Sequence, residues 1–119
     1  MVRLLPRRLQ PSESQEQTML VDWMSWNDLI FYHVPNGGKR DLREASKFRR
    51  LGVKAGVPDL CIPHPTSRYH GLYIELKSHS GKLTKEQDWW VKKLNDLGYR
   101  AEVAFGGDEG IQIIQDYLS

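Results

Sequence analysis

One cysteine in 119 residues, Cys61, excludes an intrachain disulfide, and with it a disulfide scaffold and any CxxC-type zinc site. The four histidines, His33, His64, His70 and His79, lack zinc-ligand spacing. No apolar run approaches the roughly 20 residues that a membrane helix requires. The first residues set Arg3, Arg7 and Arg8 around Pro6 and lack the apolar stretch of a secretory signal. Charge of one sign is scarce too. Seventeen basic residues face 15 acidic ones, and a net charge of +2 does not by itself declare a nucleic-acid binder. Internal repeats are absent. These absences leave a soluble cytoplasmic protein, with a length that suits one compact core and not two. Four Trp, five Tyr and three Phe give that core its apolar bulk and exclude a disordered composition.

Residues 1–11 read as a basic tail and 12–119 as the domain. Ser12 is an N-cap residue, and Met19, Leu20, Trp23, Met24 and Trp26 recur at helical spacing, which predicts a helix over Glu13–Trp26 with Glu13, Glu16 and Asp22 off its apolar face. Leu29 to Val34 is strand-like and ends at Pro35; Asn36-Gly37-Gly38 is a turn. A second helix is expected over Asp41–Leu51, then short strands at Leu60–Ile62 and Gly71–Lys77. Thr84, with Gln87 three residues on, is a capping-box pair that opens a helix to about Leu97. Ala101–Phe105 is a strand, Gly106-Gly107 a turn, and Asp108–Leu118 a last helix. The order α-β-α-β-β-α-β-α predicts an α/β fold, a small mixed sheet with helices packed on it.

Chemistry concentrates in Val57-Pro58-Asp59 and Ile74-Glu75-Leu76-Lys77. Glu75 and Lys77 are two apart on a strand and share one face, roughly 6–7 Å apart, with Tyr73 beside them; Leu76 points the other way. A return of the chain from Leu60–Pro63 to Leu72–Lys77 brings Asp59 next to Glu75. Carboxylate oxygens in such a set suit Mg2+ or Mn2+, whose bound water has a lowered pKa and can attack phosphorus, while a lysine orients that water or offsets developing charge. A Glu-x-Lys on its own is a common exposed strand pair; the Pro-Asp ahead of it is what turns it into a candidate site.

Pro58-Asp59 followed by Glu75-Leu76-Lys77 resembles the PD-(D/E)XK nuclease motif. The wider pattern is similar to the VRR-NUC branch in its small stand-alone phage or bacterial form. It runs through ESQEQ at 13–17 with Trp23 beyond, PNGGKR at 35–40, GVKAGVPDL at 52–60, GLYIELK at 71–77, and LTKEQ at 83–87 with Trp90. The resemblance implies a restriction-endonuclease-like fold, with Asp59 and Glu75 as metal-binding carboxylates and Lys77 as the catalytic lysine. Glu13 matches the family's additional acidic position near the metal, with Glu16 a rival one turn away. Gln87 matches a glutamine lining the site, and the Leu76 carbonyl is a further metal contact. It also implies structure-specific DNA cleavage by dimers that act on four-way junctions.

Independently of that resemblance, residues 39–54 hold seven basic side chains, Lys39, Arg40, Arg43, Lys47, Arg49, Arg50 and Lys54, against Asp41 and Glu44. Such a concentration suits phosphate neutralisation, with Lys82 and Lys85 as further backbone contacts. The bland alternative is a solvated helix face. After Arg100 no basic residue follows, so the acidic last helix is expected to face away from DNA. Cys61 reads as a small buried residue and His79 as a loop histidine. Trp89 and Trp90 cannot both face the core of one helix: Trp90 is assigned to the core, and Trp89 to a rim, dimer or DNA contact. Trp23 and Trp26 are assigned to core or dimer interface. Three alternatives stand beside the junction nuclease: a flap- or duplex-directed endonuclease, a non-catalytic DNA-binding module of the same fold, and an α/β protein binding a small acidic ligand.

Overall fold

The computed structural model describes residues 9–35 and 42–119. The elements follow as α1 (Glu13–Trp26), β1 (Tyr32–His33), α2 (Leu42–Arg50), β2 (Leu60–Ile62), β3 (Leu72–Lys77), α3 (Lys85–Asp96), β4 (Arg100–Phe105) and α4 (Gly107–Leu118), in the predicted order. Most of the basic tail and the Asn36–Asp41 stretch lie outside the described residues. None of the described helices is long and apolar enough to cross a membrane.

Two capping boxes start helices. Ser12 Oγ accepts from the Gln15 N–H at 3.1 Å while Gln15 Oε1 accepts from the Ser12 N–H at 2.8 Å. Thr84 and Gln87 repeat the arrangement at 3.1 and 2.9 Å. Each satisfies two donors that a helix start otherwise leaves open, typically worth about 1 kcal/mol.

The sheet runs β1-β2-β3-β4. β2 pairs antiparallel with both β1 and β3, and Leu60 sits opposite Ile74. β4 joins β3 in parallel, with Glu75 opposite Val103 and Lys77 opposite Phe105, and α3 makes the crossover between them. Leu72, Ile74 and Leu76 project from one side of β3 into a core shared with Leu20 and Met24 of α1, Leu60 and Ile62 of β2, and Ile113, Ile114 and Tyr117 of α4. The alternate side chains Tyr73, Glu75 and Lys77 take the other side, as the strand period requires. Cys61 is buried, as expected.

Three local expectations change. The β1 strand is Tyr32–His33 alone, because Asp28 (φ 54°) and a Leu29 N–H bond to the Met24 carbonyl still belong to the turn out of α1. Trp26 is 86% exposed, so it is no core residue; it ends the helix beyond the Leu20–Met24 stripe. Glu16 is buried at 5% exposure, on the α1 stripe with Leu20 and Met24, where an acidic residue was expected at the surface.

The loop into β2 is pressed against α3. Gly56 has φ +90°, and a Cβ there would meet Glu86 Cβ and backbone at 2.6 Å. Gly56→Ala therefore combines a left-handed backbone penalty with a steric collision, and should cost about 2–4 kcal/mol in denaturant unfolding. Wild-type-like stability would show that the loop yields freely.

Candidate metal centre

Glu13, Asp59 and Glu75 offer carboxylate oxygens that all lie within 4.8 Å of one another. Three different elements supply them. Asp59 immediately precedes β2, one step beyond the Leu60–Ile74 pair, so the antiparallel register alone places it beside Glu75. Its Oδ2 accepts the Leu76 N–H at 2.8 Å, which locks the carboxylate to the β3 backbone. Glu13 arrives from the first turn of α1. Lys77 Nζ stands 3.9 Å from Glu75 Oε2, beyond hydrogen-bond reach, and Lys77 is itself buried.

The electrostatics favour a cation. Glu75 is 1% exposed, and its Oε2 has no hydrogen-bond partner among the described residues. Burial first, then the hydrogen bond and charge of Asp59, push Glu75 from 4.5 up to about 9, with Lys77 opposing only in part. Burial and the Asp59 charge also raise Glu13, again against Lys77. Three crowded carboxylates with an orphaned buried oxygen are costly unless a positive charge sits among them. A hard, oxygen-only donor set fits a divalent ion such as Mg2+ or Mn2+, not a thiophilic one.

Glu16, the rival to Glu13, is engaged elsewhere. Its Oε1 accepts the Gly107 N–H at 3.1 Å, across 91 residues of sequence, and its Oε2 lies 3.1 Å from His79 Nε2. Gly106, whose N–H donates to the Lys77 carbonyl at 2.8 Å, completes a knot joining α1, the end of β3 and the start of α4. A Cβ at Gly106 would strike His79 at 2.6 Å, so the Gly106-Gly107 pair is more than a turn: it admits this contact. His79 lies in the turn after β3, as the loop reading expects, with its ring against Glu16. His33 also acts here unforeseen. Its Nδ1 lies 2.9 Å from the Asp59 carbonyl and 3.2 Å from Gln17 Nε2, and the Val34 N–H reaches the same carbonyl at 2.7 Å. No local pattern marks either pair, because both join residues far apart in sequence.

The remaining predicted residues divide. Gln87 gives its side-chain oxygen to the Thr84 cap. Arg43, Lys47 and Arg50 are exposed on α2, which packs against no other described helix or strand; Lys54 and Lys82 are exposed in loops. Lys39 and Arg40 lie outside the described residues. Trp89 is exposed, as expected, but Trp90 is only half-buried and lies outside the core cluster, because its indole turns to the Ala55 carbonyl in the loop before β2.

A mixed four-stranded sheet flanked by helices, with acidic residues and a lysine at paired strand ends, defines a restriction-endonuclease-like nuclease fold. The family model of the VRR-NUC domain matches residues 11–108. A solved structure described as a VRR_NUC domain protein is 35% identical and superposes with a TM-score of 0.79 over 92% of this chain and 89% of that one. Comparison with curated proteins yields no match. The chain belongs to the VRR-NUC domain family and is a nuclease-type domain, with DNA as its partner.

Two measurements test the centre. Without divalent ions, folded Glu75 keeps a proton that the unfolded chain releases near 4.5, so stability should fall as pH rises from about 4.5 towards about 9. Glu75→Gln, which cannot titrate, should flatten that slope in EDTA thermal melts; an unchanged slope would refute the raised carboxyl. Glu16→Ala strands the Gly107 N–H and should cost about 1–3 kcal/mol in denaturant titration. Glu16→Gln, which retains an acceptor, should recover most of it, and equal losses in both would show that the acceptor oxygen is not what matters.

Proposed function

We propose that this chain is a cytoplasmic, homodimeric, metal-dependent endonuclease that hydrolyses phosphodiester bonds of DNA at four-way junctions. The observation that carries the reading is the convergence of Glu13, Asp59 and Glu75 with Lys77 beside them. Asp59, Glu75 and Glu13 would hold Mg2+ or Mn2+, with the Leu76 carbonyl as a further contact between two site residues. Such an ion, when bound, supplies Lewis acidity and lowers the pKa of water.

The chain's own residues do the rest. Asp59 is held rigid by the Leu76 N–H on its carboxylate and by His33 and Val34 on its carbonyl, so it presents a fixed oxygen. Lys77, buried and short of a hydrogen bond to Glu75, is free to donate to the attacking water or to a non-bridging phosphate oxygen. Water adds to phosphorus as one bridging P–O bond breaks, and the buried lysine offsets charge that builds up there. With its oxygen in the cap, Gln87 would contribute through its NH2 group.

Exposed Arg43, Lys47 and Arg50 of α2, with Lys54 and Lys82, would grip the backbone, joined by Lys39 and Arg40. A single domain of this size offers little surface. Twofold pairing would present two centres to two strands, which suits a symmetric junction. Exposed Trp26 and Ile30, beside the open edge strand β1, offer apolar area for such pairing.

The test uses labelled four-way junction, linear duplex and flap substrates with Mg2+, Mn2+ or EDTA. Metal-dependent junction cleavage should fall at least about 100-fold in Lys77→Ala, the usual scale for a lost charge-stabilising group. Equal cutting of all three substrates would remove junction selectivity. Tight binding without cutting in any metal would leave a DNA-binding module.

A further inference from the structure

We propose that Trp89 and Trp90, with Ala55 and Lys85, form a stacking site for an unpaired nucleobase of the DNA substrate. The inference rests on the branched-DNA reading above and names the feature of the branch that is recognised.

The two indoles meet edge to face, 5.3 Å between centroids and 88° apart, so they form a right-angled wall. With Ala55, Lys85 and Glu86 they line an open cavity of about 290 Å3. Trp90 is pinned, because its indole N–H donates to the Ala55 carbonyl at 3.0 Å. Trp89 is 56% exposed, although α3 buries Leu94 against the fold. A rigid aromatic face left in water beside a preformed corner is what a flat, apolar ring can occupy without reorganising the protein.

Charge and position select the occupant. Lys85 lines the cavity, and exposed Lys54 and Lys82 flank it in sequence, so a phosphate backbone can pass along the rim. Glu86 is the acidic residue among those lining the cavity, so a ring suits its interior better than a second anion would. Ala55 is four residues before Asp59, so their Cα atoms are at most about 14 Å apart. The cavity is therefore bordered by the same loop that leads into Asp59. Bases within continuous duplex remain stacked on each other and cannot enter such a corner; those at a branch point or in a single strand can.

The test measures binding in EDTA, with no cleavage, by fluorescence anisotropy of a labelled four-way junction, a single-stranded oligonucleotide and a continuous duplex. Trp89→Ala should weaken junction and single-strand binding about tenfold, within the range of one stacked base, and leave duplex binding unchanged. Trp89→Phe should restore most of the loss. Because Trp89 is exposed, both variants should keep the wild-type melting temperature. Unchanged binding to all three DNAs, or equal loss on all three, would overturn the stacking site while sparing the nuclease reading. Conversion of a wild-type dimer to monomer by Trp89→Ala would reassign the residue to contact between copies. Failure of the wild-type protein to bind any DNA would overturn both readings.

Discussion

Mutual repulsion among three carboxylates is the constraint around which this domain is organised. Carboxylate oxygens of Glu13, Asp59 and Glu75 are brought within 4.8 Å although Glu75 is buried and one of its oxygens has no hydrogen-bond partner among the described residues. Left to itself the polypeptide would relieve that crowding by moving a helix or by protonation. Burial first, and the neighbouring Asp59 second, raise Glu75 and so favour its protonated form. Movement is opposed by hydrogen-bonded contacts around the cluster.

Those contacts tie together the ends of elements. The parallel pairing of β3 and β4 brings the Lys77 carbonyl to the Gly106 N–H, and Gly107 then donates to Glu16 of α1. One helical turn before Glu16 stands Glu13, so the same knot that starts α4 sets where the third carboxylate can be. On the opposite flank, Gly56 lets the loop before Asp59 lie against α3, and the Asp59 main chain is held by His33 and Val34. The three carboxylates are therefore surrounded by hydrogen bonds that each join a main-chain group to a side chain or to another main-chain group.

Legibility in the sequence followed the range of the interactions. The α1 boundaries, β2 and the Thr84 capping box were all readable, since caps, periodicity and apolar runs act within a few residues. The pairing of Asp59 with Glu75 was readable as well, because a short antiparallel return has few possible registers. The length of β1 was not, because the apolar run from Leu29 reads as strand although the turn through Asp28, left-handed as Asp permits, still holds Leu29. For Trp26 the sequence left core and interface open, and exposure removes only the core: periodicity shows which residues could share a face but not where the covering surface stops.

Sequence by itself determined the succession of elements, the strand alternation that sets Glu75 and Lys77 on one face, and the chemical character of the site, since those depend on residue type and local spacing. Tertiary structure alone brings Glu13, and not Glu16, beside Asp59 and Glu75. Both lie on the first turns of one helix and both are glutamate; only the approach of Gly107 and His79 engages Glu16 and leaves Glu13 facing Asp59 and Glu75. It also made Glu75 a buried and protonatable group and His33 a support for Asp59. Burial and contacts across 91 or 26 residues arise from packing of the whole chain, and no local pattern encodes them.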